Sequence, residues 1–363
     1  MMVNKKNFEK KFILFNGKKY NLKKKSCEIC KNSKNKIFQN IGKIGNKPGA
    51  YGYLPISICE NCGHKFLSPR YSNAYYKEFY LKEYGKIPFK KIKPSKKYLA
   101  LQKIRGQNVF SFFSKKVKKT KKGKILDHGS ATGLALMPWK NNGWSCYGIE
   151  PHKESVKYAN SIGLNVKNGY GENLSFKSNF FDVVISLGSF EHAYDINKTF
   201  KQFNRVLKRN GKLILRWRSD KIKGSPLEYF NHITYRYFTK NSLYNLLNKH
   251  RFKIENFIDK KIEGYDTFEY IIAKKNHKEK KKIKKDNVNK ILSFIKKKHE
   301  NYSNIALKAK RSRGTKNLNR KKRFIKKNKI GLMNIGKIKA INRVFKEMNF
   351  YLKTDKKFNL INV

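Results

Sequence analysis

The stretch Lys124–Pro151, KILDHGSATGLALMPWKNNGWSCYGIEP, constrains the fold more than any other part of the chain. Lys124–His128 carries a short apolar run ending on Asp127, which predicts a buried strand. Gly129–Gly133 holds only small residues, which predicts a tight turn. Leu134–Asn142 predicts a helix, with Gly143 placed where a C-terminal cap glycine stands. Ser145–Ile149 predicts a second strand, and Glu150 stands at its carboxyl end. This is one β-α-β unit of a doubly wound α/β sheet, in which ligands bind outside the carboxyl ends of the strands. Small turn residues let backbone N–H groups approach a ligand beside the positive end of a helix. Glu150 lies 150 − 129 = 21 positions after Gly129. A carboxylate there accepts hydrogen bonds from both hydroxyls of a ribose, so the unit predicts an adenosine-type ligand. A dinucleotide fingerprint needs G-x-G-x-x-G, and Ala131 and Leu134 replace its second and third glycines.

Ile125, Leu126, Asp127, Gly129, Ala131 and Gly133 match the pattern hydrophobic-L-D-x-G-x-G/A-x-G. In this they resemble the class I S-adenosylmethionine-dependent methyltransferases. The resemblance continues through Phe181–Ser186, similar to the fourth strand of that family, and Ser189–His192, similar to its "EH" turn. Phe203–Lys208 with Gly211–Leu215 resembles the family's helix and fifth strand. The resemblance covers residues 96–275. It implies a Rossmann-like doubly wound seven-stranded sheet, S-adenosylmethionine as cofactor, and Asp127, Gly129, Ala131, Gly133 and Glu150 as its holders. Asn165–Lys167 would be the third strand, and Phe252–Ile258 with Phe268–Ala273 the closing antiparallel hairpin. The family's acidic adenine contact aligns with Tyr170, a departure from the pattern. The competing readings are another α/β domain or a dinucleotide-binding one.

Four of the five cysteines form two C-x-x-C pairs, Cys27/Cys30 and Cys59/Cys62, with 59 − 30 − 1 = 28 residues between them. Each pair puts two thiolates on one turn, and two such turns close a four-ligand structural zinc site. The long gap predicts an added hairpin with Gly49–Ile58 as its return strand. A disulfide framework would need a secretory context, and a redox site would not need two pairs. Cys146 falls in a predicted buried strand and reads as core.

A cysteine knuckle followed by the tyrosine-rich stretch Phe66–Gly85 resembles methyltransferases of surface-polysaccharide and nucleotide-sugar pathways, including sugar C-methyltransferases. The resemblance implies a sugar-type acceptor, with Tyr75, Tyr76 and Tyr80 as pocket candidates; aromatic packing between domains is the alternative. Leu227–Ile254 is similar to the family's H-E-H-L-x-x-F-S segment, with His232 on its final histidine and Asn231 where the glutamate stands. Asn cannot accept a proton, whereas a histidine's unperturbed pKa lies near neutrality, so His232 reads either as a general base or as a structural residue. His192 reads either as a pocket residue near the transferred methyl or as a histidine closing a helix start. Trp217 and Arg218, at the end of the fifth strand, are expected to face the cleft mouth, and Arg218 reads either as a bidentate anion contact or as a surface charge. Lys96–Lys118 reads as a linker helix with an apolar side of Leu99, Leu101, Ile104, Val109, Phe112 and Phe113.

The chain has 363 residues and a formal net charge of +62, from 86 Lys and Arg against 24 Asp and Glu. That excess favours a polyanion such as RNA, and equally fits the Lys, Asn and Ile bias of an AT-rich genome. It is strongest in the C-terminal extension, which reads either as a polyanion-binding arm or as solvated, partly disordered helix. The last piece suggests strand, Gly336 turn and helix. No apolar run is long enough for a membrane span, and Phe12–Phe15 is too short for a signal-peptide core, so a cytoplasmic protein is expected. The expected organisation is a zinc-ribbon-like domain over 1–95, a cofactor-binding domain over 96–275 and a Lys-rich, mostly helical extension over 276–363. A methyltransferase acting on a sugar-type small molecule, an RNA methyltransferase and a non-catalytic zinc-containing scaffold are the three functional expectations.

Overall fold

Long apolar runs in the middle of the chain become strands, and the shorter runs at both ends assemble separately. The computed structural model describes residues 12–15, 18–43, 51–84, 94–117, 123–218, 226–258, 268–276, 282–311 and 317–327, with a few positions between 342 and 348. In chain order the elements begin β1 (Phe12–Phe15), β2 (Lys18–Lys23), β3 (Asn35–Lys43), β4 (Tyr51–Cys59), β5 (Lys65–Leu67) and β6 (Arg70–Tyr71). Helices α1 (Asn73–Lys82) and α2 (Lys96–Val117) lead to β7 (Lys124–His128), α3 (Met137–Asn141), β8 (Ser145–Glu150), α4 (Lys153–Ser161), β9 (Asn165–Asn168) and β10 (Phe181–Leu187). Then come α5 (Ile196–Val206), β11 (Leu207–Arg218), α6 (Pro226–Tyr229), β12 (Arg236–Tyr237) and α7 (Lys240–Lys249). The series closes with β13 (Phe252–Ile258), β14 (Phe268–Lys275), α8 (Val288–Arg311) and α9 (Leu318–Lys327).

The chain forms two compact units. One draws on residues 73–219 and 237–284, the other on 1–72, 220–236 and 285–363. This grouping differs from the linear division at residues 95 and 275. Helix α1 joins the sheet-bearing unit because its Tyr75, Tyr76 and Phe79 are buried there, Tyr76 against Tyr194. Segment 226–236 joins the cysteine unit through contacts described below.

The sheet-bearing unit holds seven strands in the order β13-β14-β11-β10-β7-β8-β9. The inner strands are parallel, and β14 runs antiparallel to both β11 and β13, as the resemblance implied. Strand β10 is buried along its whole length, Asp182 and Ser186 included, as a central strand of a parallel sheet covered on both faces is. Val109 and Phe113 of α2 pack with Ile125, Val183, Ile185 and Ile214 in the core. Each such side chain contributes about 1.5–3 kcal/mol on burial. Only the second half of α2 serves this core, since Leu101 and Ile104 are exposed. The helix approaches the loop after β7 at Gly106, where a Cβ would meet the Leu134 carbonyl at 2.7 Å.

Two expectations need correction here. The helix expected over Leu134–Asn142 is the single turn α3, and residues 131–136 are turns. Pro138, in its first turn, fits a helix that starts there and not four residues earlier. Trp217 does not face a cleft mouth; it is 1% exposed and packs edge-on to Phe257.

In the cysteine unit β3 and β4 form the antiparallel hairpin that fills the long gap between the cysteine pairs. They belong to a four-stranded sheet, β12-β5-β4-β3, beside a three-stranded one, β1-β2-β6. Helix α8 is amphipathic, burying Leu292, Ile295, His299, Tyr302, Ala306 and Ala309 at helical spacing. Its Tyr302, Ala306 and Ala309 share a cluster with Ile41, Leu227 and Ile325. The described part of the C-terminal extension is therefore packed helix. Residues 328–341, where the terminal strand and Gly336 turn were expected, lie outside the described residues.

Candidate functional site

The carboxyl ends of β7, β8 and β10 build one site. Strand β7 delivers Asp127 and His128, and the chain then turns back against β8: Gly129 N and Ser130 N both donate to Ile149 O, at 2.9 and 3.2 Å. Gly129 (φ +72°) and Gly133 (φ +73°) take left-handed backbone, and a Cβ on Gly129 would collide with Ser189 Oγ. Ala131 holds φ +50° despite its Cβ, a local strain of about 1 kcal/mol. That turn aims Ala131 N at Glu150 Oε2 (2.9 Å), while His152 N donates to Oε1 (2.9 Å). Because α3 is so short, the nearby amides come from this turn and not from a helix end.

Glu150 is 5% exposed, and burial pushes its carboxyl up to about 7 against the pull of the two amides. An ionised carboxylate accepts about four hydrogen bonds, so two more can be taken up at Glu150. Burial, reinforced by Glu150, lifts Asp127 to about 7, with Arg105 as the opposing charge. Asp127 Oδ1, Ser130 Oγ and Thr132 Oγ1 are buried without a hydrogen-bond partner among the described residues. Unsatisfied buried acceptors are costly unless a ligand completes them. Beneath the site His128 is a plug, its Nδ1 3.0 Å from Ser186 Oγ and its basicity lowered to about 4 by burial.

Tyrosines gather around Glu150. Tyr80 and Tyr84 have ring centroids 5.0 Å apart. The Tyr80 hydroxyl is buried and unpartnered, and burial with nearby Tyr84, Glu150 and Tyr170 pushes it well above its ordinary value. Burial and Glu150 raise Tyr84 to about 12 and Tyr98 further still. No motif in the sequence marks Tyr84, Tyr98, Arg105 or Thr132 as site residues. The i, i+4 pair Tyr80/Tyr84 is the one signal that could have found part of this group. Half-buried Tyr170 stands under the Lys77 ammonium, 5.7 Å from the ring centroid.

His192 closes a 3-10 turn, Phe190–His192, directly after β10, and its N–H donates to Ser189 O at 3.0 Å. Next to it buried Glu191 is raised by desolvation, against the pull of His192, Arg218 and Arg216. Arg218 offers its backbone N to Glu191 Oε2 at 3.4 Å. Asp127, Gly129, Ala131, Gly133, Glu150 and His192 thus share one unit. His232 belongs to the other: it is 1% exposed and its N–H donates to Lys43 O at 3.0 Å. Neighbouring Asn231, the departure from the glutamate-histidine pattern, accepts from Thr234 N at 3.0 Å and closes a turn.

Residues 126–215 match the family described as "Methyltransferase domain". The chain carries a methyltransferase domain. Similar proteins include MJ1123 of Methanocaldococcus jannaschii, 34% identical over 94 residues, or 26% of this chain and 44% of that protein. A ubiquinone biosynthesis O-methyltransferase of Pelagibacter ubique is 32% identical over 94 residues, 24% of this chain and 39% of that protein. The crystal structure of PH0226 from Pyrococcus horikoshii aligns with 54% of this chain and 100% of its own, at 21% identity and a TM-score of 0.42. The chain spans less than half the length of the curated relatives it matches. The methyltransferase domain is thus matched from the end of β7 into β11, the span that holds all the proposed cofactor residues.

The cysteine unit builds a second site. The four Sγ atoms of Cys27, Cys30, Cys59 and Cys62 lie within 4.8 Å of one another, with Cys27–Cys62 at 3.6 Å and Cys30–Cys59 at 3.5 Å. A tetrahedral zinc with bonds of about 2.3 Å requires sulfur edges of about 3.8 Å, so the donor set fits. His64, two residues past Cys62, is fully buried and stacked on Phe66, and burial lowers it to about 3. Glu28, inside the first C-x-x-C turn, takes Arg236 Nε at 2.7 Å and Arg70 at 2.9 Å. Burial opposes its ionisation, but Arg236 and Arg70 prevail and hold it at about 2. Among the described residues no helix is long and apolar enough to cross a membrane.

Proposed function

We propose that the protein transfers methyl groups from S-adenosylmethionine to a small acceptor of sugar or nucleotide-sugar type. The observation that carries the cofactor assignment is the pair of buried, incompletely satisfied carboxylates at the ends of adjacent strands β7 and β8. Glu150 would accept the ribose hydroxyls, and Asp127 Oδ1 the ammonium of the amino-acid tail. Gly129, Ala131 and Gly133 would let the backbone approach. The bound cofactor supplies an electrophilic methyl group. The chain supplies proximity and orientation, which alone can contribute about 7–11 kcal/mol to such a step. His192, at the carboxyl edge of the same sheet, is the first choice for a base that takes the acceptor's proton. His232, in the cysteine unit, is the second candidate. The four cysteines would hold a structural zinc ion.

The sugar-type acceptor rests on the family resemblance of the knuckle and tyrosine stretch, and burial of Tyr75 and Tyr76 favours Tyr80 as the tyrosine that touches a ligand. An RNA acceptor is the competing reading, favoured by the basic C-terminal helices. Calorimetric titration of S-adenosylhomocysteine into zinc-loaded protein, with Glu150→Ala alongside, tests the cofactor site. Saturable binding weakened by the substitution supports it. No binding to folded protein would leave a non-catalytic, zinc-containing scaffold as the better account.

A further inference from the structure

The basic charge is unevenly distributed. Residues 126–215 hold eleven Lys and Arg against seven Asp and Glu, a mild excess. Helices α8 and α9 hold thirteen Lys and Arg against the single acid Glu300. Charge density alone does not single these helices out, since residues 86–124 hold fifteen Lys and Arg and no acid. What distinguishes α8 and α9 is an ordered placement. Lys290, Lys297, Lys308 and Arg311 are exposed and fall on one stripe of α8, opposite the buried line from Leu292 to Ala309. The stripe runs about 30 Å along the helix. In α9 the exposed Arg320, Arg323 and Lys327 form a second stripe, opposite buried Ile325.

Both helices turn their apolar sides into one cluster with Ile41 and Leu227, so both stripes face outward on a packed support. Two further contacts hold α8 in place. His299 Nε2 lies 3.0 Å from Gln39 Oε1 in the interior, and Asp286 N, just before the helix, donates to Cys62 O at 3.3 Å. We propose that the α8 and α9 stripes form a docking surface for the phosphate backbone of single-stranded RNA. An anionic membrane fits less well. An amphipathic helix binds lipid through its apolar side, and here that side is buried within the unit.

This surface is independent of the methyl-transfer reading, since it lies outside the matched methyltransferase domain and its test needs no cofactor. The test is fluorescence anisotropy of a labelled single-stranded RNA with the full chain across a salt series. Three variants enter it: Lys290→Gln/Lys297→Gln/Lys308→Gln/Arg311→Gln in α8, Arg320→Gln/Arg323→Gln/Lys327→Gln in α9, and a control in the sheet-bearing unit. The control neutralises exposed Lys153, Lys177, Lys198 and Lys201. We expect the α8 variant to weaken binding about tenfold or more and to make the log–log salt slope shallower by about 3, at roughly 0.7 for each phosphate no longer neutralised. The α9 variant should act in the same direction, and the control should change affinity less than twofold, with thermal melts matching the parent. Equal weakening in control and stripe variants, no RNA binding at low salt, or phosphatidylserine vesicles binding through these stripes while RNA does not would each overturn the proposal.

Discussion

Two glutamates, half-buried Glu28 in one unit and buried Glu150 in the other, have opposite fates. Glu28 is clamped between Arg70 and Arg236 and held at about 2. Glu150 receives two backbone amides and no cation, and burial lifts it to about 7. Both carboxylates sit beside a recognisable motif, a C-x-x-C turn in one case and a glycine turn in the other. The difference lies in what completes them. A carboxylate completed by the protein's own cations is part of the framework, because removing it strands two buried guanidinium groups. A carboxylate left with acceptor capacity in a dry site costs stability until a ligand arrives, which is the mark of a binding position.

The sharpest way to break this comparison is to remove the support under Glu28. Replacing Cys59 and Cys62 by serine should abolish zinc binding in native mass spectrometry and the cooperative melting of the cysteine unit. A four-thiolate zinc contributes on the order of 10 kcal/mol to folding in small domains. Unchanged melting would show that the clamp stands without metal. Glu28→Ala should destabilise by about 3–5 kcal/mol in denaturant titration, since it leaves buried charge uncompensated. The folded value of about 2 lies below the ordinary 4.5. The contribution of Glu28 is therefore present above pH 4.5 and lost as pH falls from there towards 2.

Glu150→Ala should behave in the opposite way. We expect S-adenosylhomocysteine affinity to fall about 100-fold, from two charge-assisted hydrogen bonds of about 1.5 kcal/mol each. The melting temperature of the free protein should stay level or rise, and a large drop would reclassify Glu150 as framework. The smallest effect is in pH. With a folded value raised from 4.5 to about 7, the free protein loses stability as pH rises through that window. The cofactor site gains affinity over the same range, as Glu150 and Asp127 ionise. Calorimetry between pH 6 and 8 should show that rise in the parent and a flatter profile in Glu150→Gln.

Much of the sheet-bearing unit was legible because local pattern decides it. Apolar runs become buried parallel strands, and small residues at 129–133 form the turn, wherever the rest of the chain goes. Leu134–Asn142 is rich in helix-favouring residues, but Pro138 fits only the first turn of a helix, so the helix begins at Met137. Exposed Leu101 and Ile104 show the limit of periodicity. It identifies α2 but not where along the helix the partner surface begins, which Gly106 and its contact with the Leu134 loop decide. For the extension the sequence offers a polyanion-binding arm or a solvated, partly disordered helix. The buried line in α8 shows packed helix there for the described residues, since an apolar stripe is stable in water only when it is covered.

By itself the sequence determined the strand–turn–strand with Asp127 and Glu150 at its strand ends, and the two cysteine turns, because each depends on spacings of a few residues. Only the tertiary structure decided which distant segments complete them. Glu28 meets Arg236 across 208 positions, and Tyr80 of α1 and Tyr84 just past its end come to the Glu150 carboxylate from about 70 residues earlier in the chain. The physical reason is that burial, and with it every shifted carboxyl and tyrosine here, depends on what packs above a side chain and not on its neighbours in sequence.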